Sequence, residues 1–432
     1  MSFPASFSPQ RAYPASLLLW VLLLLLAPMG CETGKKNTTE STSVSLEIPP
    51  LFQRKGELAK AVEWEKTQSK VEELKQKIAK NPNDLKARLQ VVTIYLAEAR
   101  ITGEHPYYYP AILTILDGIL SLDPANFEAT VFKASVKMSQ HQFAEAKTIA
   151  EKALKLNPDN AYVYGVLVDA NVELGNYEEA VAMSDKMQRL RPSLEAYSRA
   201  SYLREIYGDY PGAIEAMKLA VQAGLPGSEP YCWSKNTLGY LYETTGKLAQ
   251  AEIQYQEILA LRPSYAFALR GLAQVQKDRK QYDKALSVLD SAARIMPEFS
   301  FHEEMAEIYA LQGDVEKANR KYLEVVGMLG EDARSGHRVD LELCKTYTAA
   351  GLLDSARVYG LREYAMRPKN IDVNHALAWV YFKQNNLVKA REHLQVALRT
   401  GAKYPDLLAR AEAIKKGINL AKSEGSFLTK TK

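Results

Sequence analysis

Prolines 124, 158 and 192 stand 34 residues apart in this 432-residue chain. The residues around them recur as well: Asn157-Pro158-Asp159-Asn160-Ala161-Tyr162 opens one segment and Arg191-Pro192-Ser193-Leu194-Glu195-Ala196-Tyr197 the next. Pro263 and Pro297 repeat the spacing, and Pro226 lies two periods beyond Pro158. A sustained period of this length specifies an array of small structural units, each too small to bury its apolar face alone.

The clearest unit runs from Cys232 to Tyr265, with Leu238-Gly239, Tyr242, Gly246, Ala251, Tyr255 and Pro263 at fixed offsets. Each marker has a packing reason. Gly239 and Ala251 let two antiparallel helices approach closely, and Tyr242 and Tyr255 fill the space around that contact. Gly246 suits a left-handed helix end, and Pro263 stops the second helix. In these residues the chain resembles the tetratricopeptide-repeat family. The resemblance implies an all-α fold, a helix-turn-helix solenoid wound into a right-handed superhelix.

Alignment on the markers gives nine units, at 85–126, 127–160, 161–193, 194–227, 232–265, 266–298, 299–332, 337–370 and 371–403. The small residue of the second helix reads Ala146, Ala180, Ala213, Ala251, Ala285, Ala318, Ala356 and Ala390 in units two to nine. Array ends need covers. Residues 53–84 are expected as an N-terminal capping helix contacting the array through Leu58, Val62, Val71, Leu74 and Ile78. Residues 404–421 are expected as a C-terminal one, using Leu407, Leu408, Ala411, Ile414 and Leu420, with 422–432 as a flexible tail. Unit one carries an insertion, Thr102 to Pro110, read as a stiff loop presenting Tyr107, Tyr108 and Tyr109; a contact role and packing on the helix ends both remain open. The stretches 224–230 and 330–336 read as longer connections between units.

At the N-terminus Arg11 precedes an apolar run, Leu17 to Ala27, that is too short to span a bilayer and suits a signal peptide over 1–30. Gly30-Cys31 resembles the end of a bacterial lipobox, although Pro28 stands where leucine is usual. This implies a fatty-acylated (palmitate-type) Cys31 and a Ser/Thr-rich tether over 31–52 that holds the array to the cell envelope. The remaining cysteines, Cys232 and Cys344, fall three units apart, which a stacking estimate places about 30 Å from each other, beyond disulfide reach.

A net charge of +4 spread among interspersed acids and bases leaves no basic stripe for nucleic acid. His302-Glu303-Glu304 lacks a second histidine at metal-binding spacing, and neither a phosphate loop nor a nucleophile elbow occurs. The expectation is a protein that is not an enzyme and holds no cofactor or metal.

Function then belongs to the surface that the superhelix presents. The resemblance puts the second, fifth, ninth and twelfth positions of each first helix on the concave face. Those positions include Tyr162, Asp169, Tyr202, Trp233, Tyr240, Phe267, Arg270, Trp379 and Phe382. The carboxylate-clamp residues of some relatives are replaced here by Val131, Ser135, Gly165 and Asp169. Tyr202, Trp233, Tyr240, Phe267 and Arg270, in three consecutive units, are therefore expected to grip a peptide or helix of a protein partner. The alternatives are rings that serve packing between units, or an aromatic groove holding a glycan or small molecule.

Overall fold

The computed structural model describes residues 48–423. Among them the regular structure is helical, without a strand. Helix α1 (Val62–Lys80) precedes the array. Units one to three are α2 (Leu85–Thr102) with α3 (His105–Leu122), α4 (Phe127–Ser139) with α5 (Phe143–Leu156), and α6 (Ala161–Leu174) with α7 (Tyr177–Leu190). Units four to six are α8 (Leu194–Ile206) with α9 (Tyr210–Ala223), α10 (Glu229–Thr244) with α11 (Leu248–Leu261), and α12 (Ala266–Asp278) with α13 (Tyr282–Ile295). Units seven to nine are α14 (Phe299–Leu311) with α15 (Val315–Arg334), α16 (Asp340–Ala349) with α17 (Leu353–Met366), and α18 (Ile371–Lys383) with α19 (Leu387–Ala397); α20 (Pro405–Ser423) follows.

Local chemistry sets the ends of these helices. Asn126, Asn160, Ser193, Ser228 and Asn370 each accept a hydrogen bond from an early backbone N–H of the helix they precede, satisfying donors that a helix start leaves unpaired. Within each of units two to nine the chain reverses on one left-handed residue: His141, Gly175, Gly208, Gly246, Lys280, Gly313, Gly351 and Asn385. The eight alanines of the second helices are all at most 3% exposed. Close approach is tightest around Tyr255, which is 2% exposed. A Cβ on Gly239 or on Gly271 of the next unit would come within 2.6 or 2.4 Å of its ring, so the ring is held between two glycines. Gly271→Val is expected to overpack this contact and cost about 1 to 3 kcal/mol or more. Urea unfolding measures it, and an unchanged midpoint would rule out the wedge.

The array winds so tightly that one turn of the superhelix rests on the next. The turn inside unit two meets the connection after unit seven: Arg338 N–H donates to the Gln140 carbonyl at 2.9 Å, and Gln142 Nε2 donates to the Gly336 carbonyl at 2.8 Å. The turn inside unit three meets the connection after unit eight. There Ile371 N–H donates to the Tyr177 hydroxyl at 2.9 Å and Asn370 Nδ2 to the Glu173 carbonyl at 3.0 Å. Gly103 lies against Met296, and Gly208 against Gly401, in the same way. Across units two and three the offset of the bonds between these turns and connections is 194 to 198 residues, a little under six 34-residue units. The concave faces of the units line the inside of this superhelix, its lumen.

A buried charge cluster locks the seam. Arg367, 4% exposed, donates to the carboxylates of Glu363 in its own unit and Glu173 in unit three, and lies 4.8 Å from the centre of the Phe143 ring. Beside it, Arg399 reaches the Gly175 carbonyl and stacks on Tyr177 at 4.8 Å.

The chain ends differ in part from expectation. Residues 1–30 and most of the 31–52 segment, Cys31 included, lie outside the described residues, as does 424–432. Residues 48–52, expected as the end of a loose tether, are docked on unit one. Ile48 and Leu51 are buried, and the hydroxyls of Tyr95 and Tyr107 donate to the carbonyls of Pro49 and Pro50. Phe52 N–H donates to the Tyr108 hydroxyl at 3.1 Å. The expected Tyr107–Tyr109 loop is instead the first turn of α3, with Pro106 near its start, where a missing N–H costs nothing. Its tyrosines pack, and Tyr108 and Tyr109 are buried. The expected connection at 330–336 is mostly helix as well, because α15 continues to Arg334.

At the N-terminal cover Val71, Leu74 and Ile78 are buried. At the C-terminal cover Leu407, Ala411, Ile414 and Ile418 face the array, whereas Leu408 and Leu420 are 46% and 54% exposed. The buried stripe of α20 thus runs through Ile418 rather than Leu420. Cys232 and Cys344 are both buried.

Candidate functional site

The five expected contact residues separate into two groups. Phe267 is half-buried and packs between units, its ring 6.0 Å from that of Tyr265 and 5.9 Å from that of Phe301, both edge-on. Arg270 braces unit six to unit seven, with Nε 2.9 Å from Glu304 Oε2; Lys277 shares that carboxylate at 3.5 Å. Burial of Glu304 to 3% exposure makes this a strut, although the Arg270 side chain itself remains 44% exposed. Trp233 is half-buried at the start of α10.

Tyr202 and Tyr240 both lie near Glu205. Tyr240 is 37% exposed, and its hydroxyl donates to the carboxylate of Glu205. Tyr202, half-buried, stands in the field of Glu173, Asp372 and Glu205. Tyr404, just before α20, lies within electrostatic reach of Asp372, Tyr202, Glu205 and Tyr240. Gly208 of unit four approaches the Gly401 carbonyl, and Tyr202 and Tyr404 border one apolar cluster, so unit four meets the segment before α20. Burial first, and the Asp372 charge second, push the Glu205 carboxyl up to about 7. Glu243, at the equivalent position of the next unit, is also raised to about 7 by burial, against the opposing charge of Arg270.

The other concave-face positions serve the fold. Tyr162 is buried against Phe132 and Ser135. Asp169 is held by Arg199 with contacts of 2.6 and 2.9 Å. Trp379 and Phe382 stack on each other at 5.2 Å, and the Arg410 guanidinium of α20 covers Trp379 at 5.3 Å. The C-terminal cover therefore occupies the aromatic end of unit nine.

Sequence reasoning passed over Glu205, Glu243, Asp372 and Tyr404. Glu205 and Glu243 both hold the twelfth groove position, so the positional rule itself pointed to them. Asp372 holds a second position, but nothing local places it opposite unit four. Among the described residues no group of three or more His, Cys, Asp or Glu is arranged to hold a metal ion, and no helix is long and apolar enough to cross a membrane.

Stacked helix pairs around a lumen with polar and aromatic lining define a helical-repeat scaffold of the kind that binds proteins. Residues 137–201 and 236–298 each match a tetratricopeptide-repeat family profile. The chain carries tetratricopeptide repeats. It is similar to the mitochondrial import receptor subunit TOM70 of Homo sapiens, at 27% identity over 263 residues, covering 57% of this chain and 42% of that one. It is also similar to the BBSome complex member BBS4 homolog of Drosophila melanogaster, at 25% over 208 residues, 45% of this chain and 42% of that one. The chain thus spans about two fifths of the length of these relatives. Among solved structures, a human IFIT1 dimer with PPP-AAAA superposes with a TM-score of 0.50 at 17% identity, covering 78% and 79% of the two chains. That likeness is one of fold alone.

Proposed function

We propose that this chain is a non-catalytic scaffold of the bacterial cell envelope, held to a membrane through an acylated Cys31, that binds a segment of a partner protein in its lumen. The carrying observation is that Tyr202 and Tyr240 both lie near Glu205 at positions that the repeat turns toward the concave face, while Phe267 and Arg270 pack and brace adjacent units. Tyr240 keeps 37% of its surface in solvent, and an amphipathic ring at such a place is a common anchor for a bound polypeptide. The repeats point the same way, and the related TOM70 is itself named an import receptor subunit.

A photo-crosslinking residue placed at 240 in the full chain is expected to capture a discrete partner from native membranes, whereas the same residue at Leu219, 46% exposed on the second helix of unit four, is not. Capture at 219 alone would overturn binding in the lumen. The anchor is tested separately. Cys31→Ala is expected to abolish incorporation of a fatty-acid analogue and release the protein from the membrane fraction; labelling that survives would end the lipoprotein reading.

A further inference from the structure

Residues 48–55 belong to no helix or strand, and unit one serves their backbone with side chains. Pro49 and Pro50 fix their own φ and keep the residue before each extended. The Tyr95 and Tyr107 hydroxyls donate to the Pro49 and Pro50 carbonyls, and Phe52 N–H donates to the Tyr108 hydroxyl at 3.1 Å. Ile48 and Leu51 are buried, and the Phe52 ring lies 5.4 Å from that of Tyr107. Arg54 closes the segment. Its Nε and Nη2 donate to the two Glu98 carboxylate oxygens at 2.9 and 2.7 Å, both side chains being at most 2% exposed, and its guanidinium lies 5.0 Å from the centre of the Trp64 ring.

A cover for the end of an array does not need this. At the other end α20 uses the apolar stripe of Leu407, Ala411, Ile414 and Ile418, and α1 presents Val71, Leu74 and Ile78 in the same manner. A buried bidentate ion pair adds little net stability over an apolar contact of the same size, but it discriminates strongly against a segment that lacks the arginine. A segment tethered to its own site meets it at an effective concentration of about a millimolar and needs no such discrimination. Selectivity has a use where segments from different chains compete. The hinge for exchange is present as well: Lys55, Gly56 and Glu57 are exposed, the 3-10 helix Gly56–Lys60 buries no residue, and a Cβ on Gly56, at φ +53°, would meet no described atom within 4 Å. Residues 48–55 can thus swing away with α1 left in place.

We propose that the face formed by Tyr95, Glu98, Tyr107 and Tyr108 is a homotypic docking site: it receives the Ile48–Arg54 segment of a second copy, and two chains pair by exchanging these arms. The occupant is a second copy because the sequence seen to fit is the one that every copy carries. Exchange reuses contacts already made within one chain, so the pairing is reciprocal and closed, and it leaves no further face to propagate. Residues 48–55 span about 26 to 29 Å when extended, which brings the unit-one ends of the two arrays together. The face stands at the N-terminal end of the array, apart from Tyr202 and Tyr240.

Charge reversal in the full chain tests the exchange. Arg54→Glu sets the arm against its own Glu98, and Glu98→Arg sets the face against its own Arg54, so neither variant is matched with itself in cis or in trans. In an equimolar mixture the arm of the first matches the face of the second, between chains only. Sedimentation is expected to show about tenfold more dimer in the mixture than in either variant alone, and the double variant should behave like the wild type, in which dimer increases with concentration. Circular dichroism checks that each variant is folded. A second readout needs no charge change: benzoylphenylalanine placed at 52 should cross-link two differently tagged copies to each other. A mixture that stays monomeric, with cross-links within single chains only, overturns the proposal, and so does dimerisation of either variant alone. A fluorescein-labelled peptide spanning Ile48–Lys55 separates the occupants. Peptide binding to Arg54→Glu about tenfold tighter than to the wild type, without dimer in the mixture, would overturn the second copy in favour of a segment of another protein. Absence of both would leave the arm as a cover alone and overturn the docking site.

Discussion

Replacing Arg367 by methionine is expected to destabilise the protein by about 3 to 5 kcal/mol and to loosen the seam between superhelical turns. The substitution keeps most of the volume and removes only the charge and the donors. Glu173, Glu363 and the neighbouring Glu342 are 8%, 3% and 3% exposed, and the guanidinium bonds the first two. Without it two carboxylates stay in a medium of low polarity with no counter-charge, which costs far more than loss of a surface ion pair. The chain has an escape that a globular core lacks, since opening the seam returns Glu173 to water while each unit stays folded. Small-angle scattering should therefore show a larger radius of gyration at unchanged helical content, and calorimetry a lower Tm. A variant as compact and as stable as the wild type would show that the cluster does not hold the turns together.

Acidification from pH 7 to pH 4 is expected to open the same seam at its unit-two end. His105 of α3 and His337 after α15 face each other with ring centres 6.3 Å apart, and Tyr109 lies 5.5 Å from His337. His141 contributes a ring nitrogen 2.8 Å from the Arg338 carbonyl. Burial, assisted by nearby positive groups including Arg100, holds His105 down at about 4 and His337 at about 3. A histidine whose folded value lies below its ordinary 6.5 gives its full stability above that pH and loses it as the pH falls toward the folded value. By pH 4 this amounts to roughly 2 to 3 kcal/mol for each of the two.

Asp332 acts in the opposite sense. Burial, with Glu298, Glu331 and Glu342 nearby, raises it to about 7, so the closed form gains stability as the pH falls from there. One such carboxyl offsets about one histidine, leaving a net of roughly 2 to 3 kcal/mol against the closed seam. Scattering and circular dichroism between pH 7 and pH 4 should show expansion before loss of helix. His337→Gln should remove most of the response, and Asp332→Asn should move it to higher pH. A wild type that stays compact to pH 4 would refute the mechanism.

Much of this architecture was legible in the residues because its determinants are local. A left-handed residue at Gly246, a small one at Ala251 and a stop at Pro263 act within one helix pair, so their recurrence reports the pair directly. The errors share a cause. Pro106 and Pro110 suggested a loop around Tyr107–Tyr109, yet Pro106 sits in the first helical turn, where proline is tolerated, and Pro110 lies inside the helix; Tyr107 and Tyr108 bond residues 50 and 52, supplied from elsewhere in the chain. Phe267 and Arg270 occupy groove positions in the repeat, but Phe301 and Glu304 of the following unit determine that they pack and brace.

The sequence by itself determined the helix pairs, their stacking order and the face that each first helix turns inward, since these depend on contacts within a unit or between adjacent ones. Only the tertiary structure decided that the array closes on itself. That closure depends on a small rotation accumulated over nearly six units, and on partners such as Glu173 and Arg367 that are 194 residues apart and each look like ordinary solvated charges in their own repeats. The same accumulated rotation brings Tyr404 and Tyr202 to one apolar cluster built from residues that no single repeat contains.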